Sequence, residues 1–136
     1  MSDPWHLTPI GLGIYLFEPR EGLDPRAAEA YLGPLIAVLR SGQARSLFYD
    51  VKEVAVIDDL YYGWLMRLYH ACRLVSVDFQ VAHIRPETAY ALSSWLPSLP
   101  PFRCILEIDH GRVRPPESDV APAMGRRQIA VVSTRR

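Results

Sequence analysis

A chain of 136 residues is long enough for one packed core and short for two. Apolar residues make up 49% and charged residues 22%, the balance of an ordinary folded domain, which excludes disorder throughout. With 15 Lys and Arg against 15 Asp and Glu, the chain lacks the basic footprint that nucleic acid or an anionic membrane normally selects.

The first extended segment is Gly11-Leu12-Gly13-Ile14-Tyr15-Leu16-Phe17, rich in aromatic and β-branched residues and ended by Pro19 to Gly22. Asp24 before Pro25 starts a helix, because the carboxylate caps free N–H groups and proline at the first helical position forfeits no bond. Ala28, Leu32, Leu35, Ile36 and Leu39 then recur at helical spacing towards Arg40. Gly33-Pro34 should remove the bond to Ala30 and bend the axis, and Gly42 is a natural stop. Ser46 to Val51 and Val54 to Ile57 both read as strand segments of nearly continuous apolar character.

Asp58-Asp59 precedes a second helix, Leu60 to about Leu74, which either carboxylate can cap while complementing the helix dipole. Phe79 to Ile84 is another strand. Pro86 opens a third helix through about Trp95, and Pro97, Pro100 and Pro101 forbid its continuation. Phe102 to Ile108 alternates as a last strand. After Gly111, prolines at 115, 116 and 122 and the Arg126-Arg127 and Arg135-Arg136 pairs change the character of the chain. The expected organisation is one domain over residues 1–112 and a mobile tail over 113–136, in which Ile129 to Val132 could add a short strand. Alternating strands and helices predict an α/β fold, a mixed β-sheet with helices packed on it.

No run of residues approaches the ~18 apolar positions of a membrane span, and the N-terminus lacks a leader pattern. The protein is therefore expected in the cytoplasm, with no direct membrane insertion and no nucleic-acid partner. Cys72 and Cys104, without CxxC or Cys/His spacing, are expected as reduced, buried thiols.

Chemistry-bearing motifs are sparse. GxSxG, a GxGxxG after the first strand, a Walker loop and HExxH are all missing, so an enzyme is not expected and no cofactor is implied. His6, His70, His83 and His110 are scattered, and His83 beside a strand reads as structural. Asp50, Glu53 and His70 could join the Asp58-Asp59 pair around a metal only by nearness in sequence, and no metal site is expected. The second helix is more informative. Tyr61, Leu65, Leu68, Cys72 and Val75 form one apolar stripe suited to a sheet, and Tyr62, Met66 and Tyr69 form a second about 100° away. The second stripe is either a broader internal contact or a partner-binding face, since aromatic and methionine side chains are enriched in interfaces.

The run from Leu47-Phe48-Tyr49-Asp50-Val51 through Val56-Ile57-Asp58-Asp59, a helix, then Phe79 to Ile84-Arg85-Pro86-Glu87 resembles the core of STAS domains, the family of sulfate transporters and anti-sigma-factor antagonists. It is most similar to the stressosome scaffold proteins of the RsbS and RsbR types, whose Gly-Ile-Arg/Gln-Pro segment is matched by His83-Ile84-Arg85-Pro86. The likeness covers roughly residues 10 to 95. It implies a single STAS-like domain and a non-catalytic scaffold in a partner-switching signalling system. The implied partners are a serine/threonine switch kinase of the RsbT type, sister STAS scaffolds, or both, in a homo- or hetero-oligomer.

In that family a hydroxyl after an Asp is phosphorylated. Here Asp58 matches the Asp, and Asp59 occupies the phosphoacceptor position with a permanent charge of about −1 against the phosphate's −1.5 to −2. The position is therefore either phosphomimetic or simply without a switch. The second site of RsbR-type proteins falls at Pro25, also without a hydroxyl. Alternatives within reach of the same fold are a STAS subunit of a membrane transport assembly and a small-ligand or nucleotide-binding module.

Overall fold

A computed structural model describes residues 4–108. The chain opens with a hairpin of β1 (Trp5–Gly11) and β2 (Ile14–Pro19), followed by a short 3-10 turn at Pro25–Ala27 and helix α1 (Ala28–Ser41). Strand β3 (Ser46–Asp50), helix α2 (Asp59–Leu74), strand β4 (Asp78–Ala82), helix α3 (Pro86–Trp95) and strand β5 (Arg103–Ile105) complete it. The sheet order is β1-β2-β3-β4-β5. Strands β1 and β2 are antiparallel, and every later pair is parallel. Three helices must therefore carry the chain back between strands, as parallel pairing demands.

The register sorts the sheet into two faces. Leu7, Phe17, Tyr49, Val81 and Cys104 stand opposite one another across the five strands. Phe17, Tyr49 and Val81 join Leu35 and Leu39 of α1, Trp64, Leu65, Leu68 and Cys72 of α2, and Leu92 of α3 in one buried cluster. The neighbouring row, Thr8, Leu16, Phe48, Gln80 and Arg103, points to the other face by the two-residue alternation of strands. Asp50 shares that second face, at the carboxyl end of β3.

Aromatic rings tie the layers. Phe17 stacks on Tyr49 with centroids 4.6 Å apart, and Trp5 stacks on Phe17 at 5.4 Å. Trp64 donates its indole N–H to the Tyr49 hydroxyl at 2.8 Å, which also bonds the Tyr61 hydroxyl at 2.5 Å. Burial pushes the Tyr49 phenol well above its ordinary value, with Tyr61 adding to the effect. It therefore stays a neutral hydroxyl. Helix α1 is joined to α2 by a Glu29–Arg67 ion pair.

Several expectations hold. Asp24 accepts from the backbone N–H of Arg26 with Pro25 next in the turn, Gly42 caps α1, and Pro34 lies inside that helix. Helices α2 and α3 fall where the Asp58-Asp59 start and the Pro86 and Pro97 bounds placed them. Cys72 and Cys104 are both free, the first buried as expected and the second only half-buried, and burial pushes each thiol up to about 12, which keeps them protonated.

Other expectations are corrected. The segment Gly11 to Phe17 is not one strand: Leu12 and Gly13 turn the hairpin, with Gly13 at φ +74 and Leu12 91% exposed. The partner strand β1, from Trp5, was not anticipated. Val54 to Ile57 forms no strand. It is the climb from β3 to α2, in which Ile57 is buried and Val56 is exposed. The last strand is only three residues, Arg103–Ile105, not Phe102 to Ile108. The expected tail over 113–136, with Ile129 to Val132, lies outside the described residues, as does the end of the domain at 112.

Candidate functional site

Two places carry polar groups whose positions the fold fixes. The first is the start of α2. Asp58 has extended backbone and its Oδ1 accepts from the Tyr61 N–H at 2.8 Å, while its carbonyl accepts from Tyr62. Asp58 is thus the cap, and its carboxylate is engaged in holding the first turn of the helix. Asp59, one residue on, accepts only from the adjacent Leu60 N–H at 2.9 Å and is exposed in the first turn, where its charge complements the helix dipole. Leu60 and Val56 flank it as exposed apolar side chains. The pair therefore divides its roles: one carboxylate holds the backbone and the other faces outward. Replacing Asp58 by alanine is expected to lower stability by about 1 kcal/mol, seen as an earlier urea midpoint with an unchanged slope.

The second stripe of α2 sits differently from a free surface. Tyr62 packs edge-on to Trp95 at 5.9 Å and leans on Phe102 at 6.0 Å. Tyr69 lies 6.0 Å from Phe102 and 6.4 Å from Phe79. Tyr62, Met66 and Tyr69 are all half-buried against the core. Much of their surface is spent inside the domain, joining α2 to α3 and to the segment before β5. Burial pushes the Tyr62 phenol up to about 12. Pro25, the other position of interest, opens the 3-10 turn and offers no hydroxyl.

The second place is one that sequence reasoning missed. Asp50 ends β3 and is 2% exposed, with His83 just beyond the end of β4. His83 Nδ1 stands 3.0 Å from Asp50 Oδ1, and Lys52 Nζ stands 3.2 Å from Oδ2. The Lys52 backbone N–H also donates to Oδ1 at 2.9 Å. Burial, the largest single influence on this carboxyl, pushes its pKa up, but His83 and Lys52 together outweigh it and leave the group below its ordinary value. Asp50 in turn holds the Lys52 ammonium above its ordinary value.

These groups line an open cleft of about 530 Å³ with Ile10, Leu16, Glu107 and Ile108. It lies outside the carboxyl ends of β3 and β4, where open α/β sheets commonly present functional groups. The signal in the sequence was faint: a lone Asp ending one apolar run and a lone His ending another. The grouping of Asp50 with Glu53 and His70 does not hold, since His70 lies against Tyr69 on α2. Among the described residues no group of three His, Cys, Asp or Glu side chains is placed to hold a metal ion. Among the described residues no helix is long and apolar enough to cross a membrane.

A mixed five-stranded sheet with an opening hairpin and three crossover helices is an α/β fold that this chain shares with RsbS. Two solved structures carry the likeness. A serine-to-glutamate variant of RsbS from Moorella thermoacetica matches with a TM-score of 0.62 at 16% identity, over 80% of this chain and 92% of that one. A chain from a structure described as the molecular architecture of the stressosome, a signal integration and transduction hub, matches with a TM-score of 0.65 at 16% identity, over 78% of this chain and 91% of its own. The protein TM1081, solved by NMR, matches more loosely, at 0.55 and 13% identity over 69% and 73% of the two chains. No family model and no curated protein sequence matches the chain.

Proposed function

We propose that this protein is a non-catalytic STAS scaffold of a stressosome-like signalling assembly, acting by contact with other proteins. The observation that carries this reading is the shared fold with RsbS and with a stressosome chain over about four-fifths of the sequence. Its partners in this reading are sister STAS scaffolds and a serine/threonine switch kinase of the RsbT type, in the cytoplasm. The contact surface is the start of α2, with Asp59 at the phosphoacceptor position and the exposed edges of Tyr62, Met66 and Tyr69 beside it.

Asp59 gives this scaffold a fixed setting. A carboxylate at the exposed first turn has no hydroxyl for a serine/threonine kinase to phosphorylate, so in this reading the position stays acidic without modification. The relative from Moorella thermoacetica received its acid by substitution of a serine; in this reading the present chain carries an acid there natively.

The test is capture of a co-expressed RsbT-type kinase and of a sister scaffold, with size-exclusion chromatography as a second readout. Asp59→Arg reverses the charge without touching the cap, and is expected to weaken capture at least tenfold while costing only about 1 kcal/mol in stability through the helix dipole. Tyr62→Ala is a poorer probe, because Tyr62 packs on Trp95 and Phe102. Unaltered capture by Asp59→Arg removes the start of α2 as the contact surface. Failure to bind either class of partner removes the scaffold reading.

A further inference from the structure

One oxygen of Asp50 has no hydrogen-bonding use inside the domain. The carboxylate is 2% exposed and ends β3 on the second face of the sheet, away from the cluster that the helices cover. Its Oδ1 accepts the Lys52 backbone N–H at 2.9 Å. Its Oδ2 is shut off from solvent and accepts no aligned hydrogen bond. A buried acceptor in that condition is destabilising, and native folds keep few of them without a use.

The cation beside that oxygen is held loosely. Lys52 Nζ stands 3.2 Å from Oδ2, within ion-pair distance but out of line for a hydrogen bond. The lysine side chain is 51% exposed, and Glu18 of β2 offers it a second carboxylate at 4.0 Å. Its flexible stem lets the ammonium pass from one acid to the other.

Both side chains line the cleft of about 530 Å³, a size typical of small-molecule sites. Ile10, Leu16 and Ile108 give it an apolar wall, and Glu107 supplies a second acid. Charge then chooses between ligands. An anion drawn to Lys52 would stand against the carboxylates of Asp50 and Glu107. A cation meets both carboxylates and displaces a lysine that Glu18 can receive.

We propose that this cleft binds a primary amine carried on a short apolar body, the ligand's ammonium taking the place of Lys52 at Asp50 Oδ2. The ammonium supplies the donor that Oδ2 lacks and is drawn by Glu107, while the apolar body covers Ile10, Leu16 and Ile108. Exchange of one ammonium for another keeps the buried carboxylate compensated throughout, so binding never leaves it as a lone charge. The site lies beyond the carboxyl ends of β3 and β4. No residue of it belongs to the start of α2, so it stands independently of the partner-contact reading.

The test titrates hexylammonium into the full chain at matched ionic strength, with hexanoate as its anionic counterpart, followed by amide NMR and calorimetry. Hexylammonium is expected to bind saturably at a single site and to shift the amide signals of Leu16, Lys52, His83 and Glu107, while hexanoate leaves them in place. Lys52→Met keeps the apolar stem and removes the competing ammonium. It is expected to tighten hexylammonium binding about tenfold, the size of one charge-assisted hydrogen bond. Glu107→Gln, at an exposed position, is expected to weaken it about threefold, as suits a screened charge. Absence of saturation, equal binding of hexanoate, or affinity unchanged in both variants overturns the site. A failed capture experiment at Asp59 leaves these results intact.

Discussion

Trp64→Ala is expected to cost about 3–5 kcal/mol, a large fraction of the roughly 5–15 kcal/mol that holds an ordinary domain folded. Trp64 is 1% exposed. Its ring meets Tyr31 of α1 edge-on at 5.7 Å, Phe17 of β2 at 6.4 Å and Tyr49 of β3 at 6.5 Å. Truncation therefore opens a cavity where Tyr31, Phe17 and Tyr49 meet and also removes one of the two hydrogen bonds of the Tyr49 hydroxyl. That hydroxyl keeps Tyr61 as a partner, so the loss is dominated by packing rather than by the hydrogen bond. Trp64→Phe separates the two effects: it retains most of the volume and is expected to cost about 1–2 kcal/mol. Urea unfolding followed by circular dichroism measures both, and a Trp64→Ala protein as stable as the parent refutes the assignment of Trp64 as the central packing residue.

The second large effect is expected from Asp50→Asn, at about 2–3 kcal/mol near neutral pH. The substitution leaves shape nearly unchanged but withdraws the charge that faces both His83 and Lys52. Its pH dependence is distinctive. The folded carboxyl lies below its ordinary value of 3.8, so the unfolded chain takes up the proton first as pH falls. The stabilisation is thus fully present above about pH 4 and is lost as pH drops through the folded value. The parent is expected to show a steep acid limb below pH 4, and Asp50→Asn a shallower one with a lower plateau. Parallel limbs in the two proteins would contradict this account of the buried carboxylate.

How far the sequence reveals this architecture depends on whether local and distant forces agree. Over α2 they agree: Leu65, Leu68 and Cys72 repeat at helical spacing and are the residues the core takes up. Over Val54 to Ile57 they conflict. The residues are apolar and largely β-branched, yet no neighbouring strand is available to that stretch, which must travel from the end of β3 to the start of α2. Over Trp5 to Gly11 the local signal is weak, since Pro9 and the mixed polarity of His6 and Thr8 mask a strand made by pairing with β2.

The site divides in the same way. Asp58 was readable as a cap because capping is a matter of adjacent residues. Its division of labour with Asp59 followed only once one carboxylate was seen engaged and the other outward. The second aromatic stripe of α2 could not be assigned from spacing, because periodicity shows that a face is apolar without showing what meets it. The contact of Asp50 with His83 was invisible, since it arises from the lateral alignment of β3 and β4 and no short motif encodes it.

The hairpin edge bears on how such a molecule can associate. Strand β1 borders the sheet, and Pro9 within it lacks an N–H, while the ladder slips between Pro9 and Gly11. A second chain approaching that border finds an interrupted row of donors, and interrupted rows are how sheets resist being extended by strangers. At the opposite border β5 offers only three residues among those described. Continuous growth of the sheet from copy to copy is therefore disfavoured, and any ordered array of these domains has to be assembled through helix faces and loops, where side-chain identity rather than generic backbone pairing selects the neighbour.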